Sequence, residues 1–574
     1  MTRHVPIADP IGVLTSVTHA ERFSRWTRAS TVWLRVMPQA CIMLALGTLL
    51  LPVALTHMPP LLDYPNHVVR LWLIAGGAAL APLSAMYSVD WSSATANIGT
   101  DLIAAALGQL VGVWTLAPIL LGAAVLLPPL GAVLLNRAVF GGWHWWQAGF
   151  AVLAWNGTLM AGFLNFQIGL GLALLAAALD PSASRWAGPF RVVPVRMGLA
   201  AGLMVFHPFA AGFYGVLLSG LAFGAGHKVA AEATPLSRRL WRAASAAGLG
   251  VGIPIACFLL LSPTPPGKYA PAGTFDPWIG YTIVSKIVTL LTAVATYNLA
   301  LDLIFVLTLW TAAIFIASRC VRQVYAGLML SAVGLVALAI LVPFMVSDTM
   351  CVDWRFPIMA ALTAAAALRP GMRSAGADRI MAAALMVLAL TRTGWITSIW
   401  QERQADVAAV EAVLAFVPAG AAILPVTRIE TGGTPPRGRM LALGIPSYLH
   451  LPSLAVPLRQ AFVPTLFAAL GKQPLRVLPP WAEIAVSEGY AAPVHYLHAF
   501  APPSQSAYTS YIHSYMAHWR ERFGYVLVLN AQTPSADDET SLPELELLAD
   551  RGFARMYRIV RTGEEGGGGH AGSH

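Results

Sequence analysis

Residues 36–70 read VMPQACIMLALGTLLLPVALTHMPPLLDYPNHVVR, and the join between the two halves of this stretch decides the fold. The first half, 36–56, is an apolar run long enough to cross a bilayer core, which takes ~20 residues in a helix. The second half turns polar at once. Leu62-Asp63-Tyr64-Pro65-Asn66-His67-Val68-Val69-Arg70 puts a carboxylate, an imidazole and a guanidinium directly behind that run. Pro65 suits the first turn of a helix, with Asp63 at or just before its cap.

Working outward, the whole chain shares the character of the first half. Of 574 residues, 57% are hydrophobic and 11% charged, against roughly 25% charged in soluble domains. One large core does not account for such a deficit, and a second apolar solvent, lipid, does. The net charge of +9 does not indicate nucleic acid, because the Lys and Arg residues sit in short loops between apolar runs. Cys41, Cys257, Cys320 and Cys351 form no CxxC or Cys/His pair, so neither a structural disulfide nor a cysteine zinc site is expected. The stretch through Arg35 is too long and polar for a signal peptide, and the first span is expected to stay as an anchor.

Apolar runs at 36–56, 116–136, 145–162, 164–180, 192–207, 209–226, 243–262, 299–317, 325–345, 356–368 and 379–399 give about eleven spans. Breaks at Asn165 and at His207-Pro208 are either turns or kinks. One set of loops is basic: Arg22, Arg25, Arg28 and Arg35; Arg137; Arg185, Arg191 and Arg196; Lys228, Arg238, Arg239 and Arg242; Arg319 and Arg322; Arg369, Arg373 and Arg379. The alternate set holds only Arg70, Lys268, Lys286 and Arg355. The positive-inside rule makes the first set cytoplasmic. The expectation is a bacterial inner-membrane protein with segment 1–35 in the cytoplasm and everything after Trp400 outside, periplasmic in a Gram-negative cell.

The long loops all fall on the outer face. Residues 57–115 contain two helix-like stretches, Asn66–Leu80 and Thr100–Val113, expected at the interface or on the rim of the bundle. Residues 262–298 form the second such loop, with an amphipathic segment from Trp278 to Tyr297. The transmembrane part thus covers 36–399. From about 400 to 562 the composition becomes ordinary, with a helix-like Gln401–Phe416, strand-like Ala421–Val426, helix-like Tyr508–Arg522, and strands Tyr525–Leu529 and Phe553–Val560. That alternation predicts a small soluble α/β domain without a GxGxxG, P-loop or GxSxG motif, ahead of a disordered Gly-rich tail, 563–574.

Polar residues on the outer face are the candidates for chemistry. Asp63 either caps its helix, worth about 1 kcal/mol, or serves as a general base or metal ligand. His67, four residues on, can share its face. In Val352-Asp353-Trp354-Arg355-Phe356-Pro357, Asp353 and Arg355 either pair with each other or leave Arg355 free for a phosphate, which its planar fork suits. Lys268-Tyr269 in the proline-rich loop is a further phosphate candidate. Within or near the spans, Asn156, Asn165, Gln167 and His207 fit helix-locking hydrogen bonds, and Asp302 and Arg392 fit snorkelling to the interface.

Three features together resemble the GT-C-type glycosyltransferases, membrane enzymes that use polyprenyl-phosphate-linked sugars. They are the acidic Leu62-Asp63-Tyr64-Pro65-Asn66-His67 after the first span, the long first outer loop with two helices, and a many-span bundle followed by an outer domain. Many members carry Asp-Glu where this chain has Asp63-Tyr64. The stretch Ala461-Phe462-Val463-Pro464-Thr465-Leu466-Phe467 is similar to bacterial membrane proteins of this type. The resemblance implies transfer from a polyprenyl-phosphate sugar to a glycan, lipid or protein acceptor on the outer face, with Asp63 as base. It implies Arg355, helped by Lys268 or Arg70, at the departing phosphate, and His67 orienting the base or joining it on a divalent metal. It adds the bilayer as a partner and excludes nucleic acid. Two other classes remain open: a transporter or lipid flippase, and a non-catalytic envelope assembly factor. No convincing internal repeat accompanies the transporter reading.

Overall fold

The computed structural model describes residues 38–225, 235–261, 283–319, 321–346, 349–372, 374–429, 434–499, 512–535 and 539–561. Most of them are helical. Among the described residues, five helices are long and apolar enough to cross a membrane: Pro38–Leu55, Val113–Phe140, Leu164–Gly188, Leu236–Leu261 and Ala375–Leu414. Six further apolar helices are shorter, among them Pro208–Gly224, Ala326–Leu341 and Arg355–Ala366. Helix length alone therefore does not return the count of about eleven.

The largest departure is at 145–162, expected to be one span. Trp145–Ala154 is a 3-10 helix, and after the extended Trp155 and Asn156 only a single α-turn follows, Gly157–Met160. The segment still runs the length of the bundle. At one end Gln147 donates to Asn136 (3.0 Å) and Trp146 to the Ala365 carbonyl (2.9 Å). At the other, the Met160 and Ala161 carbonyls accept from Leu62 and Asp63 N–H at 3.1 Å each. A 3-10 helix rises ~2.0 Å per residue against ~1.5 Å for an α-helix, so fewer residues cover the distance. Such a backbone is tolerable at membrane depth because protein encloses it; Trp145, Phe150, Val152 and Trp155 are all buried.

Residues 164–206 make a hairpin. Gly188, at φ 74°, breaks the helix. Asp180 and Arg196 would stand ~24 Å apart on a straight helix, yet they pair at 2.7 Å. His207 is extended, and its Nδ1 accepts from Phe209 N–H to start the Pro208–Gly224 helix. The Leu164–Phe206 run packs on Val113–Phe140 through Gly131 and Gly171, since a Cβ on Gly131 would lie 2.7 Å from Leu174 Cβ and one on Gly171 2.8 Å from Pro128 N. Small residues at such crossings let helices approach where lipid supplies no hydrophobic drive.

Basic groups collect at the end of the bundle far from Asp63. Arg369 donates to the Phe140 carbonyl (3.0 Å), and the strands Val321–Val324 and Leu368–Pro370 pair there. The Arg355–Ala366 helix joins the two ends, with Arg355 near Asp63 and the Ala366 carbonyl accepting from Asn136 (2.9 Å).

The C-terminal part holds a five-stranded sheet in the order Ala492–Pro493, Ile423–Thr427, Tyr525–Leu529, Ala554–Ile559, Leu545–Asp550. The first three run parallel and the last two are antiparallel to their neighbours. Ile423–Thr427 is buried throughout, hence its unbroken apolar reading in the sequence. The helix expected over Tyr508–Arg522 is, from Ile512 on, a 3-10 turn at Ser514–Met516 and a short helix at Trp519–Arg522. This part is stitched to the loop 57–115, where Tyr87–Val89 pairs antiparallel with Leu475–Val477.

Candidate functional site

The loop 57–115 folds inward. Tyr64–Ile74 is a helix with Pro65 in its first turn, and ten of its eleven residues are buried. It does not lie on the rim of the bundle as expected, because the C-terminal part covers it. Gly99–Val111 does show an outer face, with Leu102, Leu107 and Leu110 exposed.

Asp63 occupies the cap position of the Tyr64–Ile74 helix but makes no capping hydrogen bond. The carboxyl turns away from the helix, 17% exposed, with its Oδ1 3.6 Å from His450 Nε2. Burial pushes its pKa up to about 7; the Arg70 and Arg355 charges oppose that rise, and the Glu488 charge adds to it. Gly162, at φ 85°, holds the backbone against it: a Cβ there would lie 2.8 Å from Asp63 N and 3.0 Å from Asp63 Cβ.

Arg355 is the second member of the group. Its Nη1 donates to the Cys351 (2.6 Å) and Met350 (3.1 Å) carbonyls, and its buried Nε has no partner among the described residues. The guanidinium carbon sits 4.7 Å from the Phe163 ring centroid and 5.2 Å from that of Phe209. Aromatic faces and carbonyl oxygens hold the cation without cancelling its charge. Asp353 does not pair with it. Asp353 binds Lys286 at 2.6 Å, both side chains fully buried, so the Asp353–Arg355 pairing reading is corrected.

Three other candidates play different parts. Arg70 forms a two-point, fully buried ion pair with Asp101 (2.8 and 3.2 Å), tying the two loop helices together. His67 is buried edge-on to Phe467 with its Nδ1 unpartnered. Desolvation holds its pKa well below the usual value, and the Arg70 charge and His450 act in the same direction. Among the described residues no three His, Cys, Asp or Glu side chains come together to hold a metal ion. Lys268 and Tyr269 lie outside the described residues.

Within the bundle, Asn156 accepts from Leu159 N–H, Thr158 and Gln167, and Asn165 joins Thr100 N–H to the Asn97 carbonyl, locking segments together as expected. Asp302 and Arg392 do not snorkel. Arg392 Nη2 reaches Asp302 (3.5 Å), the Trp155 carbonyl (3.1 Å) and the Val294 carbonyl, and Asp302 accepts from Thr296 N–H (2.6 Å).

The residue that the sequence reading misses is His450. It lies 384 positions from Asn66, and no motif marks it; its one local signal is its place among apolar neighbours in Tyr448-Leu449-His450-Leu451. The stretch Ala461–Phe467 also reaches the site. Asn66 donates to the Thr465 carbonyl (2.8 Å) and accepts from Phe467 N–H (2.9 Å).

No family model matches the chain, and no curated protein matches it. Among solved structures it is similar to the arabinofuranosyltransferase AftD from mycobacteria, at 14% identity and a TM-score of 0.35, over 92% of this chain and 40% of that one. The chain thus spans well under half the length of that protein, and a likeness this slight transfers neither fold nor activity.

Proposed function

We propose that the chain is a multipass membrane glycosyltransferase that moves a sugar from a polyprenyl-phosphate donor to an acceptor hydroxyl, with Asp63 as general base. The observation that carries this reading is Asp63 itself: an uncapped, mostly buried carboxyl with a pKa of about 7, beside an arginine that no carboxylate pairs with among the described residues. A base is most effective when its pKa lies near the working pH, and burial tunes a carboxyl to that value. The acceptor oxygen bonds to the anomeric carbon as its proton passes to Asp63. The bond from that carbon to the phosphate oxygen breaks, and its electron pair leaves with the lipid phosphate. Arg355 stabilises the phosphate charge as it grows. Arg70 and His67 act behind the base, through the helix that bears it. The same reading has about eleven passes, 145–162 being one of them in 3-10 form, with the N-terminus cytoplasmic and the C-terminal part outside.

The test uses purified protein in liposomes containing a panel of labelled polyprenyl-phosphate sugars. Asp63→Asn should lower transfer by ~10²–10⁴-fold, the usual contribution of a general base. Transfer unchanged in Asp63→Asn sinks the assignment. Movement of labelled lipid between leaflets with no covalent product favours a flippase.

A further inference from the structure

We infer that His450, supplied by the C-terminal part, is the positioning residue for Asp63: its neutral Nε2–H is aimed at the carboxylate and steadies the ionised form. The inference deepens the general-base reading and rests on it for its catalytic meaning.

The argument runs through Asn66. The amide of Asn66 has its oxygen taken by Phe467 N–H (2.9 Å) and one N–H given to the Thr465 carbonyl (2.8 Å), so its orientation is fixed by two backbone groups. The remaining N–H of that amide meets His450 Nδ1 at 3.3 Å. Nδ1 must therefore accept, and the ring hydrogen sits on Nε2, the nitrogen 3.6 Å from Asp63 Oδ1. Burial takes the His450 pKa down to about 3, so the ring is a neutral donor throughout the working range. The edge of Phe467 closes off the ring, with 5.0 Å between centroids. A separation of 3.6 Å is longer than a formed hydrogen bond, and an N–H dipole aimed at a carboxylate over that distance still favours its charge in a buried, low-dielectric site.

The groups facing Asp63 are Arg70 on its own helix, Arg355 and the Cys351 thiol from the 350–355 loop, and Glu488 and His450 from the C-terminal part. Among them His450 is the neutral, tautomer-fixed donor. A donor to the charged form lowers a carboxyl pKa. Its loss should raise Asp63 further.

The contact can be read without substrate. In purified protein in nanodiscs, the infrared C=O stretch of protonated Asp63, identified as the band absent from Asp63→Asn, is followed against pH. His450→Asn keeps a group at Nδ1 for Asn66 but removes the Nε2 donor, and its Asp63 midpoint should rise by about one pH unit, a tenfold change in proton affinity. His450→Gln places an amide N–H where Nε2 stood and should return the midpoint to near the wild-type value. An unmoved midpoint in His450→Asn overturns the inference, as does an equal rise in both variants. Should His450→Asn not fold, 15N-labelled histidine in the wild-type protein decides, with the His450 signal assigned by its absence from His450→Gln. An Nδ1–H tautomer there overturns the proposal. These outcomes are independent of transfer, so the base reading stands or falls separately on the activity of Asp63→Asn.

Discussion

Asp63 is costly to the fold as well as useful to the reaction. Its folded pKa of about 7 lies above the ordinary carboxylate value of 3.8. Below pH ~4 the carboxyl is protonated in both folded and unfolded chains and the raised pKa has no effect on stability. Between pH ~4 and ~7 the unfolded chain ionises first, so stability falls as pH rises, and the loss is complete above 7. Asparagine has the same shape and cannot ionise. Asp63→Asn should therefore match the wild type near pH 4 and exceed it above pH 7 by on the order of 2–4 kcal/mol, the equivalent of a shift of ~3 pH units discounted for partial exposure. Thermal unfolding in detergent at pH 4.5 and 8 measures the difference; a variant less stable than wild type at pH 8 contradicts it. Arg70 shows the limit of reading residues singly. The family resemblance implied a part for it at the departing phosphate, and the partner it holds, Asp101, lies 31 positions on and looks in sequence like any first-turn carboxylate.

At the scale of elements, apolar runs located most segments but could not assign their conformation. Residues 145–162 are long and apolar enough for a span, and composition does not distinguish a 3-10 segment enclosed by helices from an α-helix against lipid. The strands fared better. Tyr525–Leu529 has the expected bounds, and Ile423–Thr427 and Ala554–Ile559 fall within two residues of theirs, because a glycine just ahead of each (Gly420, Gly524 and Gly552) marks where the strand-like run starts. The element with most leverage on the site is the turn at Gly162. Its φ of 85° is poor for any residue with a Cβ, and that Cβ would press on Asp63 and Tyr64 backbone nitrogens at 2.8 and 3.0 Å. Backbone cannot step aside as a side-chain tip can. Gly162→Ala should therefore shift Asp63 relative to Arg355 and lower kcat/KM for a lipid-linked sugar by at least ~10-fold, since ~1 Å of misplacement can cost 10²-fold. Helix content by circular dichroism should stay at the wild-type level. Wild-type turnover in Gly162→Ala removes the turn from the mechanism.

Across the whole molecule, two strand pairs mark opposite ends, and they make the proposed orientation testable. Ser88 and Arg476 face each other where the first outer loop pairs with the C-terminal part. Val324 and Leu368 face each other at the far, basic end. Facing residues of an antiparallel pair lie within the ~4.4–6.8 Å Cα range of a disulfide. The compartment then decides the outcome, since disulfides persist outside the plasma membrane and thiols persist in the cytosol. Ser88→Cys/Arg476→Cys should form its disulfide unaided in growing cells, while Val324→Cys/Leu368→Cys stays reduced until an oxidant is added to broken membranes. The reverse pattern inverts the topology and moves the site to the cytoplasm. The first pair also tests whether the C-terminal part must move as a gate. A strand pair, the Asn66 contacts and His450 all bind it to the 57–115 loop that carries Asp63, so it should act as a fixed wall of the site. The cross-linked Ser88→Cys/Arg476→Cys protein should then transfer sugar within about twofold of its reduced form. A lock that stops turnover and is released by dithiothreitol makes that part a moving lid.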